Sequence, residues 1–421
     1  MNIVNVKDFL ENDSVVTDGI QKAIDSLGED GGTVYFPAGT YITGTIFLKS
    51  NVTLYVDTKA CILGSENPKD YEVEHIGAIE APSFSECLIY AENADNIEIK
   101  GNGTIDGNGK VFSGNRPMLM RFVNCNNIKF SDIHLRNSGS WCVHMILCEK
   151  IHIKGVDLYN HAQTNNDGFD FDSCSNVFIS DTKIDSSDDS ICLKSTTGKI
   201  GENFVITNCI LSSSTATLKL GTSSLSGWRN VTMSNCIFHD CPIGTIKIMM
   251  VDGGIVENVN INNIIMERVG SPLFIRIGRR NLKYEIPQEM DFWGEGESNN
   301  DLAGHIKNVF ISNIQANVTV EEKDKTPIMI AGLRDSKIEN VRISNMNVTF
   351  PGGGDEYDKN RQVAEDEYKY PEQWFFGVLP AYGMFARHVD GLKLHDVTMD
   401  LNADDSRNMF YLDDVEGFIN H

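Results

Sequence analysis

The chain has 421 residues and a formal net charge of -23, from 59 acidic and 36 basic side chains. This surplus of negative charge excludes nucleic acids and anionic membranes as general partners. No apolar run approaches the roughly 18 residues of a membrane span. Because the N-terminus lacks the layout of a signal peptide, we expect a cytoplasmic protein, or a secreted or periplasmic one from which a signal was removed. Oligomeric state stays open.

The first predicted element is a short helix. DGIQKAIDSL, Asp18 to Leu27, has the apolar spacing of an amphipathic helix. It is followed by EDGGTVYFPAGTYITGTIFLKSNVTLYVD, in which glycine-marked turns separate apolar strands. We expect the helix to cap the first strands and to protect their open edge.

A strand phrase then repeats along the chain. It reads NIEI at Asn96, and further copies begin at Asn127, Lys150, Asn176, Asn203, Asn230, Asn258, Asn308 and Asn340. Apolar residues alternate within each copy, as in half-buried strands. From Asn127 to Asn258 the steps are 23, 26, 27, 27 and 28 residues, and the last two steps are 50 and 32.

A fixed period of this size predicts a solenoid, and its strand pattern favours a parallel β-helix over a helical repeat. The 50-residue step is interpreted as two coils and the 32-residue step as one coil with a loop. The alternative is an ordinary β-sandwich. Asparagine before each strand is expected to adopt a left-handed turn conformation and to hydrogen-bond to its copies in neighbouring coils.

The ten cysteines form no CxxC pair and no Cys/His ligand spacing, so we expect neither a zinc site nor any other metal. Several of them recur beside the repeated strands and are interpreted as buried thiols in the stack.

No linker interrupts the chain, so one domain over residues 1–421 is the simplest interpretation. Two segments break the rhythm, 281–301 and 351–380, and both are rich in aromatic and acidic residues. Long inserts on one face of a solenoid often shape its binding site. We expect both to be loops near a cleft.

An unusual density of aspartates occurs in NNDGFDFDSCSNVFISDTKIDSSDDSICLKS, residues 165–195. If FDF, ICL, LKL and IKI are equivalent strands of successive coils, then Asp167 and Asp189 share one column, continued by Ala216 and Gly244. Neighbouring coils lie about 4.8 Å apart. Asp167 and Asp189 should then be close neighbours, with Asp188 to one side.

Carboxylates this close raise the pKa of one of them, so that one group can hold a proton while others stay ionised. Glycoside hydrolysis needs this combination of acid and base. Two alternatives remain. The aspartates could only cap strands and turns, or they could bind calcium and serve lyase chemistry.

NNDGFD and SDDSICLKS resemble the NTDG and DD motifs of glycoside hydrolase family 28, the polygalacturonase family, and GGTVYFPAGTY, SWCVH and LPAYGMFARHV are similar to its bacterial, exo-type members. The resemblance covers nearly the whole chain. It implies an all-β, right-handed parallel β-helix that hydrolyses a glycan with inversion and without a cofactor. It also implies that Asp188 is the general acid, while Asp167 and Asp189 activate the water.

Two positions depart from the family pattern. Ala216 stands where polygalacturonases have a histidine, and Thr245 stands where they have an arginine. Lys247 of the same motif is retained. The two replaced residues normally help to place galacturonate, so the departures bear on the choice of substrate and leave the three carboxylates intact.

Other side chains are candidates for substrate binding. The column argument puts His144, Lys219 and Lys247 in register, and the lysines should point outward beside the carboxylates, where they could bind a sugar carboxylate. Lys194 is a similar candidate. Trp141 could stack on a sugar ring, and His144 and His161 could contact hydroxyl groups. The alternatives without a role in substrate binding are a solvated strand lysine, a structural histidine and a tryptophan packed under a loop.

The sequence thus favours a hydrolase acting on a pectic or related uronate-containing oligo- or polysaccharide, with the inserts suggesting exo action on short chains. A lyase or epimerase on the same fold is the main alternative. A glycan-binding β-helix without catalytic activity is the other, although such a module has no need of three clustered aspartates.

Overall fold

The computed structural model describes residues 2–11, 13–71, 86–280 and 302–421. The chain divides into two compact units, Met1–Ser190 and Ile191–His421. Strands within each unit pair in parallel, and the predicted parallel β-helix is confirmed. The single domain over residues 1–421 stays a prediction. The insert at 281–301 lies outside the described residues.

The strands of the first unit are β1 (Ile3–Asn5), β2 (Gly32–Phe36), β3 (Gly39–Thr43), β4 (Ile46–Phe47), β5 (Val52–Val56), β6 (Ala60–Gly64), β7 (Cys87–Glu92), β8 (Asp95–Lys100), β9 (Thr104–Asp106), β10 (Met118–Val123), β11 (Asn126–Ser131), β12 (His134–Arg136), β13 (Val143–Ile146), β14 (Glu149–Lys154), β15 (Asp157–Asn160), β16 (Phe169–Asp172), β17 (Ser175–Ser180) and β18 (Lys183–Ser186). Three parallel ladders arise from them: β7–β10–β13–β16, β8–β11–β14–β17 and β9–β12–β15–β18. Each coil therefore contributes one strand to each of three faces.

The strands of the second unit are β19 (Ile191–Ser195), β20 (Gly201–Thr207), β21 (Ile210–Ser213), β22 (Leu218–Ser224), β23 (Gly227–Met250), β24 (Ile255–Ile277), β25 (His305–Val318), β26 (Ile328–Ala331), β27 (Ile338–Phe350), β28 (Ala381–Leu401), β29 (Asn408–Glu416) and β30 (Ile419–Asn420). A second short helix, α2 (Glu356–Lys359), lies in the insert at 351–380. Within the described parts of the chain, no helix has the length and apolar character that crossing a membrane requires.

The N-terminal helix α1 (Thr17–Asp25) caps the first unit as predicted. It buries Ile20 and Ile24. On its other side, the amide of Gln21 donates to the carbonyl of Phe47 at 3.1 Å and accepts from the Phe47 N–H at 2.9 Å. One side chain thus hydrogen-bonds to both backbone groups at this point of β4, which is how the helix protects the strand edge.

The asparagine prediction is also confirmed. Every residue that opens a repeat copy, including Lys150, has a φ angle between 53° and 63°. In the first unit Asn127 donates to Asn96 at 2.7 Å. In the second unit Asn230 donates to Asn203 at 3.0 Å and Asn258 donates to Asn230 at 3.2 Å. The side-chain ladder fixes the register of the turns.

The 50-residue step is one coil, and its interpretation as two coils was wrong. β24 pairs directly with β25, and Val259 lies opposite Val309. The additional residues include the insert at 281–301. An insertion and an extra coil give the same step in sequence, so the spacing could not distinguish them.

Apolar columns fill the inside of the coils. In the first unit Ile97, Ile128, Ile151 and Val177 stack in register and are at most 1% exposed. Each such side chain contributes about 1.5–3 kcal/mol by its burial. The predicted buried thiols lie in these stacks; all ten cysteines are free, and nine of them are buried.

Candidate active site

The first unit brings Asp167 and Asp189 together. A carboxylate oxygen of one lies within 4.8 Å of a carboxylate oxygen of the other, and both residues are 2% exposed. Parallel pairing causes this proximity, because the Gly168 N–H donates to the Asp189 carbonyl at 2.9 Å and the Phe169 N–H donates to the Ser190 carbonyl at 3.0 Å. The adjacency predicted from the column count is present.

Asp188 differs from this pair in exposure. It is half-buried, and its carboxylate accepts a hydrogen bond from the Asp189 N–H at 3.0 Å. The Ser186 hydroxyl donates to the Asp188 carbonyl at 2.7 Å, which fixes the backbone. The cluster thus consists of two buried carboxylates and one that solvent can reach.

Two buried asparagines position the Asp167 segment, and the sequence analysis missed both. The Asn160 amide donates to the Asp167 carbonyl at 2.9 Å, while its oxygen accepts from the Ser138 N–H at 2.8 Å. Asn166 donates to the carbonyls of Ser138 and Ser140 at 2.9 and 2.8 Å. The backbone beside the catalytic candidates is therefore held by side-chain amides in addition to its backbone hydrogen bonds.

His161 has a partner of its own. Its Nε2 lies 2.7 Å from Oδ1 of Asp185, and both side chains are about one third exposed. The Tyr159 ring lies 4.7 Å from the imidazole. The structure thus places His161 in a local pair with Asp185, and its predicted contact with substrate stays a prediction.

Trp141 and His144 lie together in the first unit, with ring centroids 5.3 Å apart. Trp141 is only 8% exposed and packs in a cluster with Cys87, Tyr90 and Met118. Most of the indole is therefore packed against protein. A sugar could contact only the small part that remains open.

In the second unit, Lys219 and Lys247 occupy neighbouring strands in register, as the column argument predicted. All three candidate lysines are buried: Lys219 and Lys247 are 7% and 2% exposed, and Lys194 is 7% exposed. Glu372 explains why. One of its carboxylate oxygens lies 2.6 Å from the Lys247 Nζ and the other lies 3.9 Å from the Lys219 Nζ.

Glu372 belongs to the insert at 351–380, which several contacts fasten to the strands of the second unit. Trp374 places its ring 5.5 Å from the Lys247 Nζ. The Gln373 amide donates to the Pro327 carbonyl at 2.9 Å, and the Tyr370 and Thr222 hydroxyls lie 2.8 Å apart. The insert thus supplies a carboxylate to two lysines that the sequence analysis assigned to a sugar carboxylate.

The two positions that depart from the family pattern are both fully buried. The Thr245 hydroxyl donates to the Pro272 carbonyl at 2.8 Å. The Ala216 N–H donates to the Ser213 hydroxyl at 2.9 Å. Neither position offers a charged group, so the local chemistry of the missing histidine and arginine is not replaced by these residues.

The sequence was also compared with protein families and with known proteins. A family model described as Glycosyl hydrolases family 28 matches residues 37–367, and one described as Rhamnogalacturonase A/epimerase, pectate lyase-like, matches residues 3–66. A probable polygalacturonase from Vitis vinifera is 30% identical over 282 residues, which are 60% of this chain and 57% of that protein. The chain therefore spans less than two thirds of this relative's length.

Solved structures share the fold. An exopolygalacturonase from Thermotoga maritima matches 95% of this chain and 92% of its own, with a TM-score of 0.74 and 21% identity. A family 28 exopolygalacturonase from Yersinia enterocolitica matches 99% of this chain and 78% of its own, with a TM-score of 0.77 and 19% identity. Since the first family model covers well over half of the sequence, the chain belongs to glycosyl hydrolase family 28.

Proposed function

We propose that the protein is an inverting glycoside hydrolase that cleaves a pectic or related uronate-containing glycan. The observation that carries this proposal is the aspartate cluster, in which Asp167 and Asp189 form a buried pair and Asp188 is accessible to solvent. A structural role for the cluster would not require two buried carboxylates so close together, because their repulsion destabilises the fold.

In the proposed reaction, Asp188 donates a proton to the leaving glycosidic oxygen. The pair of Asp167 and Asp189 accepts one proton from a water molecule whose oxygen attacks the anomeric carbon from the opposite face. The products are two shorter sugars with one inverted anomeric centre, and the enzyme returns to its starting protonation after proton exchange with solvent. The substrate-binding roles of Trp141, His144 and the other candidates stay predictions.

The pectic substrate is supported by the relatives, which include proteins named as endo- and exo-acting polygalacturonases. Exo action on short chains is part of the proposal, and its support is the relatives by sequence that are named as exo-acting, from Dickeya chrysanthemi and Rhizopus delemar. Fold alone is not sufficient support, because a Streptococcus pneumoniae surface adhesin has a TM-score of 0.64 with this chain.

The test is incubation with defined galacturonate oligosaccharides, followed by chromatography of the products and by NMR of the new anomeric centre. We expect reducing ends of inverted configuration, no unsaturated product and full activity after chelation of metals. An unsaturated product, or a loss that calcium restores, would assign the protein to the lyases. Binding without any product would make it a glycan-binding module.

A further inference from the structure

Arg121 is a buried cation that neither the sequence analysis nor the proposed mechanism uses. It lies on β10 and is 2% exposed, which places it among the largest fully buried side chains. Burial lowers the pKa of its guanidinium, and the neighbouring Cys87, Tyr90, Asp172 and Glu92 oppose that shift. An arginine remains charged in such a place because its intrinsic pKa is very high.

The two nitrogens on one edge of this guanidinium, Nε and Nη2, are buried. Within the described part of the chain, the buried Nε and Nη2 of Arg121 make no hydrogen bond. These two nitrogens direct their N–H groups the same way, and together they form the fork that binds the two oxygens of a carboxylate. Buried donors are nearly always paired, and because protein covers both nitrogens, a carboxylate can reach them only when the covering side chains move aside.

The position of Arg121 in the first unit favours a sugar acid as that ligand. Its strand neighbours are Tyr90 on one side and His144 on the other, and His144 lies opposite Asp170 in the next coil. Arg121 is therefore two coils from Asp170, or about 10 Å at the spacing of parallel strands. Asp170 follows the catalytic candidate Asp167 by three residues in the same coil.

We propose that Arg121 binds the carboxylate of a uronate residue through its Nε and Nη2, at a subsite on the ladder face of the first unit that also carries Tyr90 and His144. The inference rests on the proposed function and deepens it by naming the residue that reads the substrate's charge. Lys247, the candidate suggested by the sequence, is already neutralised by Glu372. Arg121 has the correct chemistry, and its Nε and Nη2 make no hydrogen bond to any described residue.

Binding is measured in the Asp188→Asn background, so that no turnover disturbs the titration. The probes are a galacturonate trisaccharide and its carboxyl-reduced counterpart, titrated by calorimetry. Arg121→Gln should weaken binding of the acidic sugar by about 10- to 100-fold, the range for a hydrogen bond to a charged group, and binding of the neutral sugar by less than about 2-fold. Arg121→Lys should give an intermediate loss, because it retains charge without the fork.

Two arginines serve as controls. Arg268 is an exposed side chain paired with Asp240, and Arg268→Gln should leave both affinities unchanged. Arg276 is buried like Arg121 and donates to the carbonyls of Gly332 and Glu365. Arg276→Gln should lower the Tm, whereas Arg121→Gln should not, because it removes a buried charge of which two nitrogens make no hydrogen bond among the described residues.

An equal loss on the acidic and neutral sugars, or no loss on either, would overturn the inference. If Arg121→Gln does not fold, Arg121→Lys decides by the same ratio of the two affinities. The test also separates this inference from the proposed function. Charge discrimination by Arg121 without cleavage by the wild type would leave the subsite standing and remove the hydrolase; cleavage without discrimination would do the reverse.

Discussion

Arg121 in the first unit and Lys247 in the second are both cations on interior coils, and both are 2% exposed. They differ in their partners. Lys247 has the Glu372 carboxylate at 2.6 Å and the Trp374 ring at 5.5 Å, whereas two nitrogens of Arg121 have no hydrogen bond among the described residues. Burial alone therefore does not identify a binding residue. The hydrogen-bond partners of each buried donor must also be known.

The difference has a cause in the chain. In the second unit, the insert at 351–380 brings an acidic residue to the lysines, and it is fastened there by Gln373 and Tyr370. The carboxylates of Asp172 and Glu92 act on Arg121 through space, and among the described residues nothing accepts a hydrogen bond from its Nε or Nη2. In the second unit the charge of Lys247 is neutralised within the folded chain. In the first unit we expect the carboxylate of a bound substrate to neutralise Arg121.

The largest expected effect concerns the aspartates of the first unit. Asp188→Asn is nearly isosteric but cannot donate a carboxylic acid proton, so kcat should fall by about 10²- to 10⁴-fold, the usual contribution of general acid catalysis. Lys247→Met should cost far less, because its ammonium is already paired within the chain. Steady-state kinetics on a galacturonate oligosaccharide measure both. Activity of Asp188→Asn within a few-fold of the wild type would remove Asp188 from the acid role.

The second prediction tests whether the lysine region is closed by its internal ion pair. Glu372→Gln leaves the buried charges of Lys247 and Lys219 without their carboxylate, and the free energy of unfolding should fall by about 3–5 kcal/mol. The double variant Glu372→Gln with Lys247→Met should recover much of that loss, because it removes one of the uncompensated charges. Denaturant titration measures all three proteins.

A cost below about 1 kcal/mol for Glu372→Gln would mean that solvent or another group already neutralises the lysines. In that case Lys247 would return as a candidate for binding a sugar carboxylate, and the contrast with Arg121 would disappear. The exposed Glu322, which lies 3.5 Å from Lys325, gives a matched control. Glu322→Gln should leave the free energy of unfolding nearly unchanged, because water screens this exposed pair.

The third prediction concerns positioning in the first unit. Asn160→Leu has a similar volume but loses the hydrogen bonds to the Asp167 carbonyl and from the Ser138 N–H. A small displacement of a reacting group can cost about 10- to 100-fold in rate, so kcat should fall by about 10-fold or more while KM changes little. Asn317→Leu, which removes an amide bonded to Glu267 in the second unit, should leave kcat unchanged. A loss confined to Tm would make Asn160 purely structural.

The regular parts of the molecule were predictable because they repeat. Asparagine before each strand identified the left-handed turns, and counting residues between equivalent strands brought Asp167 next to Asp189. The same method failed at the 50-residue step, where an insertion imitated an additional coil. Local pattern determines a coil and its register, whereas the length of an insertion carries no structural signal.

The partners of the two cations were beyond the sequence for a related reason. Glu372 and Lys247 are 125 residues apart, and nothing near Glu372 marks it as the partner of a strand lysine. That Nε and Nη2 of Arg121 have no partner among the described residues is a property of its surroundings in three dimensions. Its place in the strand, MLMRFV, shows only that an arginine occupies an apolar run, and that pattern alone could equally have indicated a solvated side chain.

The smallest expected effect comes from the exposed ion pair of Asp240. Because water screens this pair, it should contribute little to the free energy of unfolding. Arg268 and then His239 lower the pKa of Asp240 to about 2 from 3.8. Because the folded-state pKa is depressed, the stabilisation is fully present above about pH 4 and is lost as the pH falls toward 2.

The Asp240 side chain is 50% exposed, so Asp240→Asn should lower the free energy of unfolding at neutral pH by less than about 1 kcal/mol. This difference should shrink in high salt and vanish as the pH approaches 2, whereas the loss in Glu372→Gln should depend little on salt because its ion pair is buried. A salt dependence that is equal for the two variants would show that the lysine region is as open to water as the surface, and the contrast between Lys247 and Arg121 would then rest on geometry alone.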